Sequence, residues 1–436
     1  MNQVLLIGNS AIEDTLSFKL NNDSSIENIF ICPGNGGSFT KKKSINIELN
    51  LKSRKEIEQF LSKNRILYVL NSSYNKMTEE LYEVCKQKNI PIIGISYDKI
   101  KFFNSRILIR EFLKKYNIPS FEYEIIDSLK SLKEYSKNLI SKKILHTDYQ
   151  KGFKGIYVLE SRGQAMKLID ILKPGLKEDS RFIIEPYNKY EEYTAIIAYD
   201  TSSYLLFPVL RSYPKAFDND YGLYTSGMGA FAPLNSFTDE DIKFLKEKII
   251  EPVLSGLNTE KYTYSGFLTF HILKHANEIK CLTLTPSFTS PEIETISTLV
   301  SASFNELFLS LINKKIKEYN LLLNDMYSVS VVLASKGYPL DVQKGILIAG
   351  IEKSFENIEI FHNKTLMIFY SKYRGYITNG GRILTINCTS ESLENSRKLI
   401  YNILDRGEIF FDGNFYRTDI AEKYCNLKTK QSIEAD

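Results

Sequence analysis

Tryptophan is absent from this sequence, and its five cysteines (Cys32, Cys85, Cys281, Cys388 and Cys425) form no C-x-x-C pair. An odd, widely spaced set of cysteines supports neither a disulfide framework nor a structural zinc site, and it fits a reducing, cytoplasmic setting. Histidine is scarce as well, at four residues. His271 and His275 stand four apart, but a strand end and a loop are expected there rather than one helix face, which disfavours a ligand pair. No run of about 18 apolar residues occurs, so no membrane-spanning helix is expected. "MNQVLLIGNS" lacks the basic start and the longer apolar run of a signal peptide. Charge of one sign is missing too: 56 basic and 52 acidic residues leave a net +4. That balance indicates neither a nucleic-acid nor a membrane partner. There is no G-x-G-x-x-G, which disfavours a dinucleotide site, and no internal repeat.

What is present is an ordinary globular composition, 43% hydrophobic and 25% charged over 436 residues, long enough for two to four domains. Apolar strands alternate with amphipathic helices over the first hundred residues: "QVLLIGNS", "EDTLSFKL", "NIFICPGNGG", "SRKEIEQFLSK", "RILYVLNSS". That alternation predicts a doubly wound α/β domain over 1–99. A central unit is expected over 100–319, with a smaller lobe over about 119–189 that begins at Pro119. A last α+β unit is expected over 320–428, in which "TNGGR" reads as a hairpin turn by its Asn-Gly type of signal.

Several stretches could carry chemistry. The turns at Gly8-Asn9 and at Gly34-Asn35-Gly36 follow strands and could offer backbone N–H groups to a phosphate, although a tight βα turn needs glycine for backbone reasons alone. "YTSGMGAFAP" places Gly227, Met228 and Gly229 in a loop between strands, suited to a substrate anion or simply to a turn. "IIEPYNKYEE" offers Glu185 at a strand end and Glu191–Glu192 beyond it, as a nucleotide hinge requires; a solvated acidic turn is the plain alternative. "QKGFKG" holds Lys151 and Lys154 on a turn that could cover a phosphate or face water.

Taken in order, these pieces resemble the phosphoribosylamine–glycine ligases, the glycinamide ribonucleotide synthetases of purine biosynthesis, nearly end to end. "VLLIGNSAIEDTLSFKL", "PGNGG", "TSGMGAFAP", "EPVLSGL", "YSGFL", "GYP", "TNGGRIL" and "YRTDIA" follow in that family's order. The resemblance implies an N-terminal α/β domain, central ATP-grasp lobes and a small C-terminal α+β domain. It also implies ATP with Mg2+, and glycine activated as an acyl phosphate and captured by phosphoribosylamine. By the same carry-over, Arg106, His146, Lys154, Glu185 and Glu192 would face the nucleotide. Gly8, Asn9, Gly34, Asn35, Gly36, Lys215 and Gly227 to Gly229 would face the substrates. A purine-pathway protein is the partner class it suggests.

The departures from the family cluster at the chemistry. Its Glu-x-Asn metal pair is Thr283-Leu284-Thr285, and neutral hydroxyls do not replace carboxylate charge for a hard cation. The Arg and Asp beyond are Ser287 and Ser290. "GREH" is Ala11-Ile12-Glu13-Asp14, and a Gly-Pro-Glu turn is Asn71-Ser72-Ser73. Two lysines of the nucleotide site are Arg106 and His146. Two readings stand. One is a divergent ligase in which Glu292, Glu294 or Glu278 reaches the metal. The other is a non-catalytic paralogue that senses a nucleotide or phosphoribosyl ligand or supports an active partner.

Overall fold

The computed structural model describes residues 2–151, 154–187, 189–370 and 373–425. Its N-terminal sheet has five parallel strands in the spatial order Ser44–Asn46, Ile26–Pro33, Asn2–Gly8, Ile66–Leu70, Ile92–Ile93. The first strand shows why: Val4 and Leu6 enter one core while Leu5 and Ile7 enter another, so both faces are buried and the run is continuously apolar. Ser10 then caps the Ala11–Asn21 helix, with Glu13 closing a capping box.

The small lobe is a four-stranded antiparallel sheet ordered Glu124–Ile126, Phe182–Pro186, Lys143–Lys151, Lys154–Leu159. It faces a ten-stranded sheet whose main path runs Glu278–Thr285, Gly266–His275, Glu191–Tyr199, Leu210–Ser212, Gly229–Ala232, Tyr327–Ser335, Arg382–Ser390, Ile358–His362. The sheet is therefore shared between the central and C-terminal units. Gly229–Ala232 pairs directly with Tyr327–Ser335. His271 and His275 both lie within the Gly266–His275 strand, not across a strand end and a loop. Helix runs from Asp239 to Thr259 with a π-helical middle, Leu245–Ile250. Pro252 follows it and has no N–H to give, so the regular ladder is interrupted there.

"TNGGR" is not a hairpin of one sheet. Tyr373–Thr378 belongs to a three-stranded sheet with Thr365–Tyr370 and Leu347–Ile348, whereas Arg382–Ser390 joins the large sheet. No described helix is long and apolar enough to cross a membrane.

The helices Glu292–Leu299 and Phe304–Ile312 pack Ile293, Ile296, Phe304 and Phe308 into the core under the N-terminal sheet. That packing brings the end of the Glu278–Thr285 strand against the first βα turn and forms the floor of the candidate site.

Candidate functional site

Three parts of the chain meet at a cavity of about 300 Å³. Asn9, Ser72, Ser73 and Lys76 come from the N-terminal domain. Arg106, Thr283, Thr285 and Glu292 come from the central unit, and Lys364 and Arg382 from the C-terminal one. A β-bulge aims the central strand. His271 pairs with Thr283 but Ile272 pairs with Cys281, leaving Leu282 as the extra residue. The bulge turns Leu282 away into the cleft beneath the small lobe and leaves Thr283 and Thr285 on the cavity wall.

Hydroxyls dominate that wall. Thr285 Oγ1 lies 3.0 Å from His271 Nε2, and burial, with the Arg106 charge, pushes His271 down to about 3, so its ring is neutral. Glu292, the first residue of its helix, accepts a hydrogen bond from Ser212 at 2.8 Å. Burial raises its pKa. Glu294, two residues on from Glu292 and off the cavity wall, is bound by Ser290 and Thr385, and burial pushes it up to about 7. Glu278 lies at the far end of the strand, paired with Lys280 at 2.8 Å and with Tyr190. Of the three candidate substitute carboxylates, the structure thus brings only Glu292 to the cavity. No group of three or more His, Cys, Asp or Glu side chains able to hold a metal occurs among the described residues.

The opposite wall is cationic. Lys364 reaches the backbone and side-chain oxygens of Asn9. Burial lowers its pKa, with Glu13 opposing and Lys76 and Arg382 adding to the shift. Arg382 donates to the carbonyls of Ser226 (2.7 Å), Gly227 (3.3 Å) and Ser290. Glu13 is occupied by four donors at 2.7–2.8 Å, from Ser10, Ser72 and Ser73. Lys76, Arg106, Lys364 and Arg382 thus face one cavity-lining carboxylate, Glu292.

Other expected residues lie elsewhere. Asn35 Nδ2 donates to the carbonyls of His362 (2.6 Å), Asn363 (3.2 Å) and Ser10 (3.1 Å), so the Gly34-Asn35-Gly36 turn joins the N- and C-terminal domains instead of lining the cavity. A Cβ on Gly36 would come within 2.7 Å of Thr365 Oγ1, so the glycine permits this contact and not the approach of a ligand. In the Gly227–Gly229 loop the backbone donors are already used: Gly227 N–H on Thr225 Oγ1 at 3.0 Å and Met228 N–H on Tyr213 at 2.8 Å. Gly227 has φ +107°, and a Cβ there would meet Pro291 at 2.6 Å. Met228 is fully buried. Gly8 is not on the cavity wall, but Asn9 is.

The expected nucleotide residues gather between the lobes. Arg106 Nη1 lies 3.0 Å from His146 Nδ1, and His146 Nε2 lies 3.0 Å from Glu185 Oε2. Arg110 pairs with the other Glu185 oxygen. Burial would raise Glu185, but Arg110, His146 and Arg106 outweigh it and hold it at about 2. Glu192 lines the same cleft, where burial pushes it up to about 7 against the pull of Arg211. Lys215 lies over the Tyr224 ring and donates to Gly222. The side chains of Lys151 and Lys154 are outside the described residues. Sequence reasoning missed Arg110, Lys76, Lys364 and Arg382. Arg110 had a signal, its i, i+4 spacing from Arg106, and Arg382 stood inside the quoted "TNGGRIL". Lys76 and Lys364 had none.

Comparison with known proteins gives the family. Residues 2–100 match the N domain of phosphoribosylglycinamide synthetase, 104–293 its ATP-grasp (A) domain and 328–423 its C domain. The phosphoribosylamine–glycine ligase of Clostridium acetobutylicum is 27% identical over 96% of this chain and 99% of its own. The bifunctional purine biosynthetic protein of Dictyostelium discoideum is 25% identical over all of this chain and 56% of its own. Among solved structures, the phosphoribosylamine–glycine ligase of Thermotoga maritima superposes with a TM-score of 0.77 at 23% identity, over 96% of this chain and 100% of that one. A biotin carboxylase domain from Hydrogenobacter thermophilus reaches 0.68 at 12% identity, covering 98% of each chain. With its three domain types matched in order, the chain belongs to the phosphoribosylglycinamide synthetase family, with an α/β N-terminal domain, central ATP-grasp lobes and a C-terminal α+β domain.

Proposed function

We propose that this chain holds a phosphorylated sugar of the phosphoribosyl class in the junction cavity and does not ligate it. The observation that carries the reading is the strand end at Thr283 and Thr285. At the family's metal position it offers two neutral hydroxyls, one of them engaged by His271. Magnesium takes anionic and water oxygens in a tight octahedron and needs at least one or two carboxylates. The one carboxylate on the wall, Glu292, is buried and bound by Ser212, and burial raises its pKa. The donor set does not suit the ion, and no step is assigned to it. Lys76, Lys364 and Arg382 and a wall of hydroxyls suit a phosphate ester carrying a polyol. For the ammonium of an amino acid the cavity supplies a single buried carboxylate, already bound by Ser212.

The first test is ADP release by the full chain with ATP, magnesium, glycine and phosphoribosylamine generated in situ. No ADP above background is expected, together with calorimetric binding of ribose 5-phosphate in EDTA. The full-length match to phosphoribosylamine–glycine ligases favours a second reading, a divergent ligase of de novo purine biosynthesis. ADP formation that depends on both glycine and the amine would establish it.

A further inference from the structure

Two departures from the family, Arg106 and His146, are neighbours in space. An ammonium has three donors and no acceptor, so a lysine at position 146 would set two cations against each other. Neutral imidazole does otherwise. It accepts from Arg106 at Nδ1 and donates its Nε2–H to Glu185, each at 3.0 Å. Arg110 completes the set on the second Glu185 oxygen. Arg106, Arg110, His146 and Glu185 are each no more than 4% exposed. Arg106, His146 and Glu185, which the family resemblance would turn toward a nucleotide, are thus spent on one another.

The remainder of the cleft is filled with side chains. Ile144 and Ile156 descend from the small lobe onto Leu273 and Leu282 of the large sheet, and Tyr224 closes one side. About 30 Å³ is left. That is roughly the share of one water molecule, whereas ligand pockets run to about 300–1,000 Å³. The β-bulge that aims Thr283 at the junction cavity is also what turns Leu282 into this plug.

We infer that the cleft between the lobes is a closed structural joint and not a nucleotide site, the four-residue network holding the small lobe to the Arg106–Lys115 helix and the apolar plug holding it to the large sheet. The inference goes beyond the reading of the junction cavity, and Arg106 is the one residue the two share.

The test uses the full chain in thermal denaturation and calorimetry with ATP and with ADP, each in magnesium and in EDTA. The midpoint is expected to stay within about 1 °C of the unliganded protein at millimolar nucleotide, with no binding heat. A ligand present far above its dissociation constant stabilises whatever form it binds, so a rise of several degrees overturns the joint. A second arm separates a joint from a vacant site. Glu185→Gln leaves two buried guanidiniums without their anion, and is expected to lower the midpoint by several degrees. Amide exchange in the Lys143–Lys151 and Phe182–Pro186 strands should quicken at least tenfold, while the Asn2–Gly8 strand keeps its protection. Residues poised for a ligand tend to cost the unliganded protein stability, so an unchanged or raised midpoint in Glu185→Gln also overturns the proposal. Should that variant not fold, His146→Gln carries the same readouts. Nucleotide binding without ADP release removes the joint and leaves the metal-free cavity standing. Failure of ribose 5-phosphate to bind, with nucleotides still inert, does the reverse.

Discussion

Glu294 and Glu185 are both buried carboxylates, and their surroundings drive them in opposite directions: burial takes Glu294 up to about 7, while Arg110 and its neighbours hold Glu185 at about 2. Both ionise near 4.5 in an unfolded chain. The raised group favours the folded state fully below 4.5, and its contribution is lost as pH climbs from there through 7. The depressed group contributes above 4.5, and its share is lost as pH falls toward 2. Glu294 should therefore contribute a decline on the order of 2–3 kcal/mol between pH 4.5 and 7. Urea midpoints should lose more across that range in the natural chain than in Glu294→Gln, which keeps the contributions of Glu192 and His271. An equal fall in both would remove Glu294 from the account. A different single residue sets ligand affinity. Lys364 is desolvated with its ammonium beside Asn9 and facing Lys76 and Arg382. Lys364→Met should weaken ribose 5-phosphate binding about tenfold, or about 1.4 kcal/mol, without lowering the melting midpoint. Loss of stability with unchanged affinity would make Lys364 a structural residue only.

At the scale of the element, the Glu278–Thr285 strand does three jobs with consecutive side chains because of one extra residue. Cys281 and Leu284 enter the core, Leu282 fills the cleft, and Thr283 and Thr285 face the cavity. Thr283→Glu with Thr285→Asn would return an anionic oxygen to that wall. Millimolar magnesium should then raise the double variant's melting midpoint, where the natural chain shows no change. A double variant indifferent to magnesium would mean that the backbone there no longer holds a metal geometry. Legibility also follows the element. The first and fourth strands of the chain are readable because Val4–Ile7 and Ile66–Leu70 are continuous apolar runs. The sharing of the large sheet between the central and C-terminal units is not, since the pairing of Gly229–Ala232 with Tyr327–Ser335 joins segments about a hundred residues apart. "TNGGR" misleads for a related reason. Its local signal is that of a hairpin, but Tyr338 sits where a Cβ on Gly381 would lie, at 2.1 Å, and the flanking strands part into two sheets. Thr283 and Thr285 stand out once set beside a family pattern. Lys76 and Lys364 are isolated cations in polar stretches, and only the packing of three domains gives them a shared direction.

For the molecule as a whole, contacts between distant segments carry the architecture. The turn at Asn35 clasps the C-terminal domain, and Asp14 adds to it by taking the His362 N–H at 2.8 Å and the Lys41 ammonium. Asn35→Ala would leave three carbonyls without their donor and the Gly37 and Ser38 amides without their acceptor. About 1–3 kcal/mol should be lost for each group left buried and unsatisfied. Calorimetry should then show the C-terminal part melting ahead of the rest; a single, unshifted transition would mean that the clasp is dispensable.

The large sheet has a consequence for dividing the chain. A fragment ending near residue 320 would lose the partner of Gly229–Ala232, four buried residues whose backbone groups now bond to Tyr327–Ser335. An open apolar edge of that kind recruits other strands, so such a fragment should stick to copies of itself. A lineage that stopped needing the chemistry could trim loops freely, yet it could not discard the last hundred residues without turning the remainder into an aggregate.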